Sequence, residues 1–135
     1  MAAKKSVNRI WDPKHECMSV DERTALQNER LRATVKREYE NVKVYRERMD
    51  AKGVTPDDIK TVEDIKYLPF TNKEDLRTEF PYGLFAAPLK DIVRIQGSSG
   101  TTGKPIVAGY TRHDVDVWTE MMARTMPVPK PLPNT

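Results

Sequence analysis

With 135 residues, 38% of them hydrophobic and 32% charged, and a mean hydropathy of −0.69, the chain can bury one modest core and little more. Its 23 basic and 20 acidic residues leave a net charge of +3 but are interspersed, which describes a solvated mixed surface and does not indicate a nucleic-acid-binding patch. The opening MAAKKSVNRIW carries two lysines with no apolar run behind them, so neither a signal peptide nor a membrane helix is expected and the cytoplasm is the expected location.

Taken in chain order, the first chemical feature is His15-Glu16-Cys17. His15 and Cys17 offer two ligands where a structural zinc site wants four, so no metal site is expected there. Cys17 is the only cysteine, which rules out an internal disulfide and suits a reducing compartment. Ser19 followed three residues later by Glu22 is a capping box and predicts a helix start. From Leu31 onward, Val35, Tyr39, Val42, Tyr45 and Met49 recur at three- and four-residue steps, which predicts one long helix with a single apolar face, ended by Gly53. The opposite face carries Arg32, Lys36, Arg37, Glu40, Lys43 and Glu47, a mixed set suited to solvent. Most of the remaining chain is so polar that the stripe is expected to pack on something outside it.

Three threonine-led segments follow, at Thr55-Pro56-Asp57-Asp58, Thr61-Val62-Glu63-Asp64 and Thr71-Asn72-Lys73-Glu74. A threonine cap, a proline at the first helical position and acids in the first turn predict short helices joined by tight turns. FPYGLFAAPL, residues 80–89, is broken by Pro81, Gly83 and Pro88 and reads as an ordered loop whose Tyr82, Leu84 and Phe85 need burial.

Ile92, Val93 and Ile95, and then Ile106, Val107 and Tyr110, predict two strands around the stretch SSGTTGKP. This is not a Walker A loop, because five residues separate Gly97 from Gly103, and Pro105 stands where Ser or Thr is required. The dinucleotide fingerprint fails too, for want of its glycine spacing and its following helix. The ingredients of a polyphosphate cradle are nevertheless present. Gly100 and Gly103 let the backbone turn with positive φ and present successive N–H groups. Ser98, Ser99, Thr101 and Thr102 add hydroxyl donors, and Lys104 adds a positive charge. The alternative is an ordinary glycine-rich hairpin turn, which would need neither the hydroxyls nor the lysine.

SSGTTGKP resembles the phosphate-binding signature SGTTGxPKG of the adenylate-forming enzymes, which include the acyl-CoA synthetases, luciferase and peptide-synthetase adenylation domains. Ile106 and Val107 replace the last lysine and glycine of that signature, a departure shared with phenylacetate-coenzyme A ligase and its relatives. Trp11 with Glu16, Met18-Ser19, Leu26-Gln27, Arg30-Leu31, LPFTNKEDLR, FPYGLFAAP, IVRI and GYTRHDVDVW are similar to the amino-terminal region of that ligase family. The resemblance covers roughly residues 9 to 126.

The resemblance implies an α+β fold: a helical amino-terminal region, a strand-loop-strand phosphate-binding hairpin and a helix, together part of the large domain of an adenylate-forming enzyme. It implies an AMP-forming reaction in which a carboxylate, phenylacetate or another aryl acid, attacks the α-phosphorus of Mg-ATP, pyrophosphate leaves, and coenzyme A displaces AMP. ATP, Mg2+ and coenzyme A are the implied co-substrates, with Ser98, Ser99, Gly100, Thr101, Thr102, Gly103 and Lys104 gripping the β- and γ-phosphates. No catalytic residue is assigned. Asp114 and Asp116 follow a Thr111 cap and read as complements to a helix dipole in preference to metal ligands. The acyl pocket, adenine site, magnesium ligand and coenzyme A site of the family all follow later in its members, so an inactive fragment is expected. Residues 1–126 form the family portion. The tail 127–135, with prolines at 127, 129, 131 and 133, departs from it as an extended segment. A truncated or frame-shifted product, or a split subunit with a completing chain or a homo-oligomeric partner, would account for such a sequence. The rival is a non-catalytic chain that binds phosphate or a partner.

Overall fold

The structure, a computed structural model, describes residues 10–98 and 105–125. In chain order it contains α1 (Pro13–Glu16), α2 (Val20–Asn41) and α3 (Lys43–Ala51), then 3-10 turns at Pro56–Asp58 and Val62–Tyr67. These are followed by α4 (Asp75–Thr78), a 3-10 turn at Leu89–Asp91, strands β1 (Ile92–Ser98) and β2 (Ile106–Thr111), and α5 (Arg112–Thr125). The expected α+β order of helices, hairpin and helix is what the chain adopts. No helix among the described residues is long and apolar enough to cross a membrane.

The capping box at Ser19 forms as expected. The Ser19 hydroxyl accepts from the Glu22 N–H, and the Glu22 carboxylate accepts from the Ser19 N–H at 2.9 Å. The single long helix does not form: Val42 takes an extended conformation, φ −111° and ψ 103°, and divides the segment into α2 and α3. The break redirects the chain without exposing the apolar stripe. Arg46 Nη1 donates to the carbonyls of Tyr39 and Glu40 at the end of α2, and the Tyr39 hydroxyl donates to Asp50 at 2.8 Å. The carbonyls and side chains freed at the break therefore find partners on α3.

Helix α3 ends at Gly53 as the sequence predicts, with φ at +66°. The Gly53 N–H bonds to the Asp50 carbonyl and the Val54 N–H to the Met49 carbonyl, which is the paired hydrogen-bond pattern of a Schellman turn. That turn sends the chain back over the apolar stripe. Val35, Met49 and Ile59 form the buried cluster, with Leu31, Tyr39, Tyr45, Val54 and Leu68 packed around it. Met49 and Ile59 are completely inaccessible to solvent. The expectation that the stripe needs a surface outside the chain is therefore corrected: residues 54–68 cover it. Their apolar residues are scattered between capping acids and form no periodic run, so the cover has no periodic signature in the sequence.

Polar side chains of the helices fasten this cover. Asn28 Oδ1 accepts from the Val62 N–H, Arg32 donates to the Lys60 carbonyl, and Lys52 donates to the Leu68 carbonyl. Arg48 reaches furthest, donating to the Phe70 carbonyl at 3.1 Å and forming a two-pronged pair with Asp75 at 2.8 and 2.6 Å. The third expected threonine cap, at Thr71, is instead made by Asn72, whose side-chain oxygen accepts from the N–H groups of Glu74 and Asp75. Asparagine is the stronger cap, and it stands one position nearer α4.

Two outcomes follow for stability. Met49→Ala removes a fully buried side chain and should cost about 2–5 kcal/mol, read as a shifted urea midpoint. The Arg48 guanidinium first, and the Asn72 N–H second, lower the Asp75 carboxyl to about 2. A lowered carboxyl contributes stability that is complete above its unfolded value near 3.9 and is lost as pH falls through about 2. Asp75→Asn should be less stable than the parent at pH 7 and should show a flatter loss of stability between pH 4 and 2, measured by denaturation at each pH.

Candidate functional site

The hairpin is an antiparallel ladder with Ile92 opposite Thr111, Arg94 opposite Tyr110, Ile95 opposite Gly109, Gln96 opposite Ala108, Gly97 opposite Val107 and Ser98 opposite Ile106. An irregularity between Ile92 and Arg94 shifts the register, and from there the alternation of strand side chains puts Arg94 and Tyr110 on one face and Ile95 and Gly109 on the other. On the first face, Trp118 of α5 lies 5.6 Å from the Tyr110 ring, with the Arg94 guanidinium 5.6 Å from the Trp118 ring. On the second face, the Phe85 ring rests directly on Gly109. The ladder is thus clamped on both sides by aromatic rings.

Of the seven residues expected to grip phosphate, the structure describes Ser98, the exposed last residue of β1 paired with Ile106. Ser99, Gly100, Thr101, Thr102, Gly103 and Lys104 lie outside the described residues. So does the proline-rich tail, residues 127–135.

The segment 80–89 is irregular, as expected, with turns over residues 81–84. Leu84 and Phe85 are half-buried, whereas Tyr82 is exposed and contributes a tilted ring contact to Phe85 at 5.2 Å. Tyr82 therefore supports the Phe85 ring from outside and does not itself enter a core.

At the far end of β2, the Thr111 N–H and hydroxyl donate to Asp114 at 2.8 and 2.7 Å, and the Asp114 N–H returns to the Thr111 hydroxyl at 3.2 Å. This closes the capping box that starts α5 and holds the Asp114 carboxyl below its ordinary range, chiefly through the Thr111 N–H. The helix-start reading of Asp114 is the one observed. The same device appears at Asp58 with Thr55 and at Asp64 with Thr61, each carboxyl lowered first by the threonine N–H. His15 is likewise taken up locally: Asp12 pairs with its Nδ1 and also accepts from Arg124 at 2.9 Å. Among the described residues, no group of three or more His, Cys, Asp or Glu comes together to hold a metal ion.

A feature the motifs did not announce is an open cavity of about 460 Å³ on the Gly109 face of the sheet, bounded by Phe85, Leu84 and Leu76, with Arg37, Glu38 and His113 at its polar side. Burial pushes the Glu38 carboxyl upward. The available signal was the glycine inside IVAGYT, since a glycine within a strand marks a close approach of another group.

No protein-family model matches the chain. It is 50% identical over 111 residues to the phenylacetate-coenzyme A ligase of Escherichia coli K12, covering 82% of this chain and 25% of that one. It is 51% identical over 111 residues to the corresponding ligase of Aromatoleum evansii, and 44% identical over 117 residues to that of Thermus thermophilus. Its backbone superposes with a TM-score of 0.78, at 29% identity, on a 2-hydroxyisobutyryl-CoA ligase crystallised with 2-HIB-AMP and CoA, over 93% of this chain and 28% of that one. The chain thus spans about a quarter of the length of the curated relatives it matches.

The Phe85 clamp can be tested directly. A methyl group at Gly109 would sit 2.6 Å from Phe85 Cζ and closer still to the ring edge, so Gly109→Ala should destabilise by about 1–3 kcal/mol. In the Phe85→Ala background the same substitution should cost much less, and a double-mutant cycle by urea denaturation measures that coupling.

Proposed function

Because the chain belongs to the phenylacetate-coenzyme A ligase family and spans about a quarter of its members' length, we propose that it is the part of an AMP-forming aryl-acetate-CoA ligase that holds the phosphate tail of ATP. The family portion is residues 1–126. The observation that carries the reading is the clamped hairpin, which is paired as far as Ser98 and Ile106 and spans residues 99–104 from a ladder fixed on both faces. A phosphate loop has to be held at its ends, because catalysis of phosphoryl transfer rests on positioning charge.

In this reading the Gly100 and Gly103 backbone N–H groups, the hydroxyls of Ser98, Ser99, Thr101 and Thr102, and the Lys104 ammonium bind the β- and γ-phosphates. Their part in the reaction is orientation. They align pyrophosphate as the leaving group opposite an attacking carboxylate oxygen, so that the bond from the acid to the α-phosphorus forms as the bond to the bridging oxygen breaks. The resulting mixed anhydride has a good leaving group where the carboxylate had none, and the coenzyme A thiol then forms the thioester and releases AMP. Mg2+ is proposed as the counter-ion that arrives with ATP, and no residue of this chain is assigned to it. The aryl acid and coenzyme A sites are not assigned to any residue of this chain. The single, unbridged Cys17 suits the cytoplasmic setting in which ATP and coenzyme A are found.

Amide NMR shifts at residues 98–104 test the reading residue by residue. Pyrophosphate and ATP should perturb the same amides at similar concentrations, with dissociation constants weaker than about 1 mM, and AMP should perturb them little. Lys104→Ala should weaken both responses. The isolated chain should make no phenylacetyl-CoA from phenylacetate, ATP and coenzyme A. Equal responses to AMP and ATP, or unchanged pyrophosphate shifts in Lys104→Ala, would leave the loop an ordinary hairpin turn.

A further inference from the structure

Leu76, Leu84 and Phe85 give the cavity on the Gly109 face an apolar side, and its volume of about 460 Å³ is within the roughly 300–1,000 Å³ typical of small-molecule sites. The polar side holds three carboxyl groups, those of Glu38, Glu79 and Asp114, against the two cationic side chains of Arg37 and His113. Carboxylates therefore outnumber cations even when His113 is protonated. An anion entering the cavity meets net repulsion, and a cation meets net attraction.

These three carboxyl groups are not equivalent. Asp114 is already taken up by the Thr111 N–H and hydroxyl at the start of α5, and Glu79 acts at longer range on Arg48. Glu38 has less to hold. Its side chain is 30% exposed, and its contact with Arg37 is 3.7 Å long, beyond hydrogen-bond reach. Arg37 is poorly placed to close that gap, because consecutive residues on a helix do not face each other, and its charge also acts on Asp114. No described residue donates a hydrogen bond to Glu38, and burial pushes its carboxyl upward. A carboxylate held partly out of water without a donor carries a desolvation cost that a ligand N–H can offset.

We propose that this cavity is a binding site for a small hydrophobic amine, with the ammonium donating to Glu38 and the aryl or alkyl body lying against Leu76, Leu84 and Phe85. A hydrogen bond from an ammonium to a carboxylate is charge-assisted and stronger than one from a neutral hydroxyl, so charge is the selecting property. The site goes beyond the ligase reading and does not rest on it. Its carboxyl groups select against the carboxylic acids that such a ligase activates.

Benzylamine, benzyl alcohol and benzoate test the proposal as a series of nearly equal size that differs in charge. Each is titrated at pH 7 into the full chain without nucleotide, and the methyl shifts of Leu76, Leu84 and Ile92, all at the cavity, report binding. Benzylamine should bind with Kd of about 0.1–1 mM, benzyl alcohol about tenfold more weakly, and benzoate more weakly again. Raising the salt to roughly 0.5 M should weaken benzylamine and leave the alcohol unchanged. Glu38→Gln should bring benzylamine down to the affinity of the alcohol. Leu84→Trp, which adds bulk to the apolar side and alters no charge, should weaken both alike. Circular dichroism melts check that each variant is folded, and the salt series on the parent chain decides the matter if Glu38→Gln is not. The proposal is overturned if no methyl shift responds to benzylamine below about 10 mM, if benzoate or the alcohol binds as tightly as the amine, or if salt or a folded Glu38→Gln leaves the amine's advantage intact.

Discussion

Met49 can be buried only if the chain reverses immediately after it, and the helical half of the protein depends on that reversal. Gly53 supplies the positive φ that the turn requires. The turn delivers Val54 onto the side chain whose carbonyl its own N–H has just bound, and Ile59 follows to complete the enclosure. A buried side chain of this size is worth about 1.5–3 kcal/mol, a substantial share of what a domain so poor in apolar residues can gather. Arg48, one residue before Met49, uses the same helix to hold Asp75 and the Phe70 carbonyl. The core contact and the anchor of the segment that runs on to Phe70 and Asp75 are therefore set by adjacent positions on α3.

The second half is organised by contact at a glycine. Gly109 has no side chain on the face where Phe85 lies, so the irregular segment 80–89 can approach the sheet closely enough for its ring to take the place of a strand side chain. On the opposite face Trp118 performs the equivalent service against Tyr110. A two-stranded ladder is only marginally stable unaided, and these two clamps give it the support that a wider sheet would otherwise provide. Ser98 and Ile106, the last described pair of the ladder, take their positions from that arrangement.

Among the described residues, well-defined local polar contacts coexist with many exposed apolar side chains. Thr55, Thr61 and Thr111 each tie a carboxylate three residues on, so turns and helix starts are well defined with little help from a core. Against this, Val35, Val42, Met49 and Ile59 are the buried hydrophobic residues among those described, while both tryptophans and several methionines and isoleucines stay exposed. A chain spanning a quarter of its relatives has its own local structure encoded in itself and much of its apolar surface unmatched.

Signals carried by a few neighbouring residues were legible from the sequence alone. The Ser19 and Glu22 cap, the Gly53 stop and the Thr111 and Asp114 helix start each depend on contacts spanning a few positions, the two strands around SSGTTGKP show in their runs of β-branched residues, and each appears where the residue types demand it. The family was legible for a similar reason, because its phosphate motif is contiguous. The break at Val42 was not, since the apolar spacing runs across it unchanged and only the preference of α3 for folding against α2 decides it. The cover over the Met49 stripe and the cap passing from Thr71 to Asn72 were also settled in three dimensions. So was the cavity beside Gly109, whose walls come from α2, α4, the segment 80–89 and β2. Local hydrogen bonds are written into the order of residues. Which distant surface excludes water from which other depends on the whole chain's path, and that was decided only by the tertiary structure.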